Sequence, residues 1–451
     1  MKRRQFLRKT GLAAAGAITV PYILPSGRLF AASGNQLAEH VVFVLFAGGV
    51  RQQESILQRY LADSQGLNNI EGNILVNLLN GQQPQVKQVY GTDPAVGPRG
   101  SVPIPKLLPG NDTFEDIGTL FAEVEATRVG HYAGLNSLVT GNTAFTQGLK
   151  QKPVFPTIFE YTRRHLGVPA TKVWFVGNGI GNSVPLLNYS INENYGSAYG
   201  GNFFAPRITF GTQGEDHLSN AKVYHPEEEL SPMYKMKYFL DNSFSASGGS
   251  LLDYGIQNTE EEREDIRNFM KDIFQKKQNG QLNMPPVTDN SDLQTIGYAC
   301  EVMTHFKPTL TVVNLNDVDG CHSNFTGYLR NLHRADHGLA HIWNVIQSTP
   351  GMQNNTVLIA IPEHGRNDNP NPILDENDWY AYDHSDANSR RVFAMMAGPN
   401  VQAGLRIGSP TNPIGTTMDG VPTIAEVLGF KDDVMNSGLL SSDALSLFDR
   451  I

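Results

Sequence analysis

Carboxylates and imidazoles gather in the last third of the chain: Asp317, Asp319 and His322, then Glu363 and His364, then His384. Aspartate, glutamate and histidine supply the oxygen and nitrogen donors that zinc and other divalent transition metals bind. Each group borders a run of apolar, largely β-branched residues, which is the signature of a strand. Asp319 and His322 follow one such run, Glu363 and His364 follow another, and His384, with Asp383 and Asp386 beside it, precedes a third. Residues at strand ends can converge on one edge of a sheet, where open α/β sheets bind their ligands. Gly320 beside Asp319 and Gly365 after His364 allow close approach and a sharp turn. A metal centre is the chemistry this pattern predicts.

The elements that would position these residues are short strands at 41–46, 172–176, 310–315, 357–361 and 391–396, separated by longer stretches. The strongest helical period runs over 326–347, where Tyr328, Leu332, Ala335, Leu339, Ile342 and Ile346 recur at spacings of three and four. A second helix is predicted at 259–277, with Thr259 as N-cap and three glutamates in the first turn, at the positive end of the helix dipole. Alternation of strands and helices predicts a mostly parallel sheet with helices on both faces. Residues 80–112 are rich in Gly, Pro and Gln, and 178–256 in Asn, Gly, Ser and aromatics; both read as loop-rich insertions in a single domain. No internal repeat is present.

The first nine residues carry Lys2, Arg3, Arg4, Arg8 and Lys9 without an acid, followed by an apolar run to about Leu24 and small residues at Ala31, Ala32 and Ser33. This predicts an export signal over residues 1–33. Arg3-Arg4-Gln5-Phe6-Leu7 has the form of a twin-arginine signal, so the export machinery of that pathway is an expected partner and the periplasm an expected location. The rest of the chain, 34–451, is the expected domain. Removing 1–33 takes six of the 35 basic residues and none of the 44 acidic ones, leaving a formal charge near −15. So acidic a protein is a poor partner for nucleic acid. No later run approaches the roughly 20 apolar residues of a membrane span. Cys300 and Cys321 can pair in an oxidising compartment or remain buried thiols, and both readings stand.

Glu363-His364-Gly365, Asp319 with His322, His384, and the C-terminal run from Val421 to Gly429 resemble the alkaline phosphatase superfamily, which includes sulfatases and nucleotide pyrophosphatases. The resemblance spans about Val41 to Phe430 and is strongest to twin-arginine-exported, sulfatase-like bacterial proteins. It implies a three-layer α/β/α sandwich with two divalent metals, often zinc, or a single calcium as in sulfatases, at the carboxyl ends of the sheet. Zinc is the first expectation for so histidine-rich a set, with calcium or another divalent cation as the alternative. Glu363 and His364 fall where the family has an Asp-His pair, Asp317 or Asp319 with His322 where it has an Asp-plus-His loop, and His384 where it has a late His. Asp319 is the preferred ligand of the first pair.

Two positions depart from the family. Ala47 stands where a metal-binding Asp follows the first strand, with Glu54 as a conceivable substitute. His131 stands nine residues before Thr140-Gly141, where the family places its nucleophile; histidine can itself form a phosphoenzyme or bind metal. Thr127 and Ser137 are nearby hydroxyls. Arg51 and Arg366 can clamp an anionic ester, with Arg366 preferred because it lies two residues from His364. His333, His337 and His341 recur on one helix face and read as a polar helix edge, with Asp336 beside them. The aromatics Tyr189, Tyr195, Tyr199, Phe203 and Phe204 read as cover for the core, with a protein-partner surface as the alternative. The expected function is an exported metal-dependent hydrolase of small or glycan phosphate or sulfate esters with an atypical active site. The alternative is a non-catalytic metal-binding or scaffold protein on the same fold.

Overall fold

The computed structural model describes residues 34–57, 74–80, 104–110, 112–144, 152–177, 187–206, 256 and 258–451, with a short antiparallel ladder of Tyr22–Ile23 and Leu29–Phe30 before them. Apart from that ladder, the expected signal at 1–33 lies outside the described residues, as do most of 80–112 and 178–256. The frame of the molecule is one eight-stranded sheet. In chain order its strands are β1 (His40–Phe46), β2 (Gly118–Glu125), β3 (Val173–Gly177), β4 (Asn202–Phe204), β5 (Leu310–Leu315), β6 (Thr356–Pro362), β7 (Arg391–Ala397) and β8 (Leu405–Ile407). Across the sheet the order is β8-β2-β7-β6-β1-β5-β3-β4.

β1 sits at the centre because both its faces are apolar. Val41, Phe43 and Leu45 point into one core, Val42, Val44 and Phe46 into the other, and every residue of the strand is buried. A strand buried on both faces reads as a continuous apolar run, the pattern of a sheet covered by helices on each side. One layer is formed by helices α1 (His131–Thr140), α2 (Ile158–Leu166) and α6 (Gly420–Val427), through Leu135, Phe159 and Ile424. The other is formed by α3 (Glu260–Asn279), α4 (Ser291–Phe306) and α5 (Phe325–Ser348), through Phe269, Ile296 and Leu339. This is the expected three-layer α/β/α sandwich.

The five predicted strands are present within a residue or two at each end, and so are both predicted helices. Thr259 caps α3 as expected: its hydroxyl accepts from the Glu262 amide at 3.2 Å, and the Glu262 carboxylate accepts from the Thr259 amide at 2.5 Å. β2 was not legible because polar Thr119 and Glu123 interrupt its apolar run; both are buried, Glu123 against Arg391. The described part of the second insertion supplies an edge strand, β4, and its aromatics Tyr189, Tyr195, Phe203 and Phe204 are buried, as core cover should be.

Among the described residues, β7 alone runs against its neighbours in this sheet, β6 and β2. Its amino end therefore lies on the same edge as the carboxyl ends of β1, β2, β5 and β6. That reversal brings His384, which precedes β7, to the edge reached by residues that follow the other strands.

The histidine stripe on α5 is not a polar edge. His333 and His337 are fully buried, because the segment leading into α4 covers that side of the helix. The Val287 amide donates to His337 Nε2 at 3.3 Å, and His341 Nε2 lies 2.9 Å from the Asn283 carbonyl. Asp336 is buried as well and accepts from the amides of Asn77 and Leu78. Cys300 and Cys321 are free, buried thiols; burial pushes Cys300 well above the usual thiol range and Cys321 up to about 12. Among the described residues no helix is long and apolar enough to cross a membrane.

Candidate metal centre

Two adjacent glycines shape the floor of the site. Gly48 and Gly49, directly after β1, have φ of 110° and 82°, a region that side chains with a Cβ rarely adopt. They also leave room that a Cβ would fill: at Gly48 it would lie 2.5 Å from the Asp319 amide nitrogen, and at Gly49 it would collide with the His364 ring. The turn can thus lie flat against the β5 and β6 loops. The Gly48 amide donates to Glu363 Oε1 at 2.5 Å. Where the family resemblance predicts an aspartate ligand, Ala47 is buried in the core and this turn contributes only backbone.

On that floor the structure brings together Asp319, His322, Glu363, His364 and His384, and adds His131 at the first turn of α1. His131 is central. Its Nδ1 lies 2.8 Å from Glu363 Oε1 and 3.3 Å from His364 Nε2, while its Nε2 lies 3.3 Å from Asp319 Oδ1. His322 Nε2 is 3.2 Å from the same Asp319 oxygen, and the His384 ring stacks on His364 at 4.2 Å between centroids.

The outer nitrogens decide what the inner ones can do. His364 Nδ1 faces the Gly365 carbonyl at 2.7 Å, His322 Nδ1 faces Asp383 Oδ1 at 2.7 Å, and His384 Nδ1 faces the Val129 carbonyl. Each partner is an acceptor, so each Nδ1 carries the proton and donates. In the neutral rings Nε2 is then a lone pair. For His322 and His364 that nitrogen faces a carboxylate oxygen at 3.2 Å. Outer-nitrogen bonds of this kind are what orient histidines that ligate metal. Glu363 Oε2 adds a further vacancy in the hydrogen bonding: it is buried and has no partner among the described residues. A buried carboxylate oxygen left unbonded is costly unless a cation satisfies it.

Electrostatics separate the rings. Burial, with His364, Arg366 and the other histidines near it, brings His384 down to about 3. Burial also lowers His364, against the opposing pull of Glu363. For His131 burial acts downward, but the Glu363 and Asp319 carboxylates outweigh it and the ring is raised. Burial would raise the two carboxylates; instead His364 and His131 hold Glu363 at about 2, and His322, His131 and Arg366 hold Asp319 well below the usual range.

The remaining predicted residues lie elsewhere. Asp317 is not in the cluster: its carboxylate accepts from the Ser291 hydroxyl and, at 3.0 Å, from the Asp292 amide at the start of α4. Arg366 is fully buried and does not stand open as an ester clamp. It donates to Asp319 Oδ1 at 2.9 Å, to the Gly48 carbonyl and to the Tyr382 carbonyl, tying the β1 and β5 loops together. Arg51 is paired with Glu54 and packed on the Tyr382 ring at 3.7 Å, so neither residue reaches the centre. The Thr127 hydroxyl faces that of Thr417, and the Ser137 hydroxyl donates to the Gly134 carbonyl. Sequence reasoning missed the partnership of Asp383 with His322 and the part played by Gly48 and Gly49; the paired glycines after a buried strand were the available signal.

Neither a protein-family model nor a curated protein matches the sequence. Solved structures are similar to it. One is a protein in the alkaline phosphatase superfamily from Vibrio parahaemolyticus, with 11% identity, 95% of this chain and 76% of that chain covered, and a TM-score of 0.39. Another is the alkaline phosphatase of the Antarctic bacterium TAB5, with 10% identity, 87% and 98% covered, and a TM-score of 0.39. A sulfatase from Pseudoalteromonas sp. has 12% identity, 91% and 73% covered, and a TM-score of 0.41. These neighbours are alkaline phosphatase superfamily proteins and sulfatases.

Proposed function

We propose that the protein is an exported, metal-dependent hydrolase of phosphate or sulfate esters. The observation that supports it most is the orientation of the rings: His322, His364 and His384 each donate Nδ1 to an outer acceptor, and Nε2 of His322 faces Asp319 while that of His364 faces Glu363 and His131. Nitrogen donors with two carboxylates suit zinc or a similar transition metal better than calcium or magnesium. Bound there, such a cation would acidify a water molecule and neutralise a developing oxyanion. The protein's own contribution is to hold the donors apart and fixed, through Asp383, Gly365 and Val129 outside them and Arg366 behind Asp319. Export follows from the twin-arginine form of residues 3–7.

A second reading, a metal-binding protein without turnover, is favoured by one observation. The hydroxyls nearest the expected nucleophile position, Thr127 and Ser137, are bonded away from the centre, and that position is His131. Metal analysis of the purified protein, followed by assays on aryl phosphates, phosphodiesters and aryl sulfates with each metal restored, separates the two. Turnover that disappears in Glu363→Ala and His364→Ala supports the hydrolase. Stoichiometric metal without turnover of any ester supports the second reading, and absence of bound metal overturns both.

A further inference from the structure

We propose that His131 is a shared ligand joining two divalent-cation subsites, one at each ring nitrogen. The inference rests on the metal reading above and adds the role of the residue at the expected nucleophile position. The two nitrogens of an imidazole point in divergent directions, so a single cation cannot take both. Around Nδ1 the donor atoms of His131, Glu363 and His364 form a triangle with sides of 2.8, 3.2 and 3.3 Å. Around Nε2, Asp319 Oδ1 stands 3.3 Å from His131 and 3.2 Å from His322 Nε2. His384 offers a donor within 4.8 Å of one on each of His131 and His322. A tetrahedral zinc with ligands at about 2.0–2.1 Å separates them from one another by about 3.3 Å. The separations, 2.8–3.3 Å around Nδ1 and 3.2–3.3 Å around Nε2, lie at or under that spacing, and each side has its own carboxylate.

The unbonded Glu363 Oε2 is a separate indication on the Nδ1 side. On the Nε2 side, Arg366 already satisfies part of Asp319. The subsites are therefore unequal, the more buried one at Glu363 and His364 and the more open one at Asp319 and His322. Filling the second subsite displaces the remaining ring N–H proton of His131 to solvent, so that each nitrogen gives its lone pair to one cation. A ring coordinated on both sides has no lone pair left for attack on an ester, which removes a phosphohistidine from the chemistry of this site.

The test is to strip the full chain with a chelator, reload it with Zn(II) or Cu(II), count ions by mass spectrometry, and record the electron paramagnetic resonance spectrum of the copper form. Two ions per chain with magnetically coupled copper are expected. His131→Ala, checked for native circular dichroism, should uncouple the spectrum and weaken at least one site by more than the roughly 10–100-fold that loss of an outer partner costs. His322→Ala should leave one tightly held ion. The wild-type spectrum needs no variant to fold. One ion per chain, or two uncoupled ions, overturns the shared ligand while leaving the metal reading intact; no bound ion overturns both.

Discussion

Arg366 donates to Asp319 Oδ1 at 2.9 Å from a fully buried guanidinium, while the same nitrogen reaches the Gly48 carbonyl. One side chain thus fixes a carboxylate of the centre and the turn after β1. Replacing it with methionine leaves Asp319 without its cation and the turn without its tie. We expect Arg366→Met to lower stability by about 3 kcal/mol, the range for breaking a buried pair, in urea unfolding. Lysine should recover part of this, since it restores charge without the forked geometry.

Asp383 tests the orientation of His322, whose Nδ1 it receives at 2.7 Å. Asp383→Ala should weaken cation binding about 10–100-fold with little change in thermal stability, because Asp383 lies near the surface. Competition with a chromogenic chelator reads the affinity directly. Unchanged affinity would remove Asp383 from the site.

Gly49→Ala separates backbone strain from collision. A side chain at φ 82° is strained, and its Cβ would strike the His364 ring. Gly438 has φ 69° with open space around it, so Gly438→Ala isolates the strain, about 1–2 kcal/mol. Gly49→Ala should lose more stability than that and also lose bound cation. Equal melting shifts for the two variants would contradict the packing of this turn.

Asp317 and Asp319 should behave oppositely although a single residue separates them. Asp317→Ala removes bonds to Ser291 and Asp292 at the start of α4 and should cost about 1–2 kcal/mol with cation content unchanged. Asp319→Ala should deplete cation content. The same metal analysis applied to both variants decides the point.

His337 makes stability depend on pH. Burial first, then His341 and Arg334, brings its folded value down from 6.5 to about 4. The unfolded chain therefore binds the proton more readily across that interval. Stability should be intact above pH 6.5 and fall as the pH drops toward 4, by up to about 1.4 kcal/mol per pH unit from this residue. In His337→Leu the difference between denaturant midpoints at pH 7 and pH 5 should shrink; an unchanged difference would show that His337 is not the group responsible.

The apolar runs of β1, β5, β6 and β7 and the period of α5 were legible in the sequence because strands and helices buried in a layered fold must carry those patterns. Donor types at strand ends were legible for the same reason: Asp319, His322, Glu363, His364 and His384 each lie a few residues from such a run. β2 escaped because buried Glu123 is satisfied by Arg391 from β7, a partner 268 residues away.

The sequence by itself determined which elements form and which side chains stand at their ends, since both follow from local composition and period. Only the tertiary structure decided which of them meet. Asp317 and Asp319 differ by two positions, yet one faces α4 and the other faces His131. Arg366 turns inward to Asp319, and the reversed direction of β7 carries His384 to the edge where the other candidate donors lie. Those outcomes depend on strand direction and on partners from 25 to 188 residues apart, which a linear spacing does not encode.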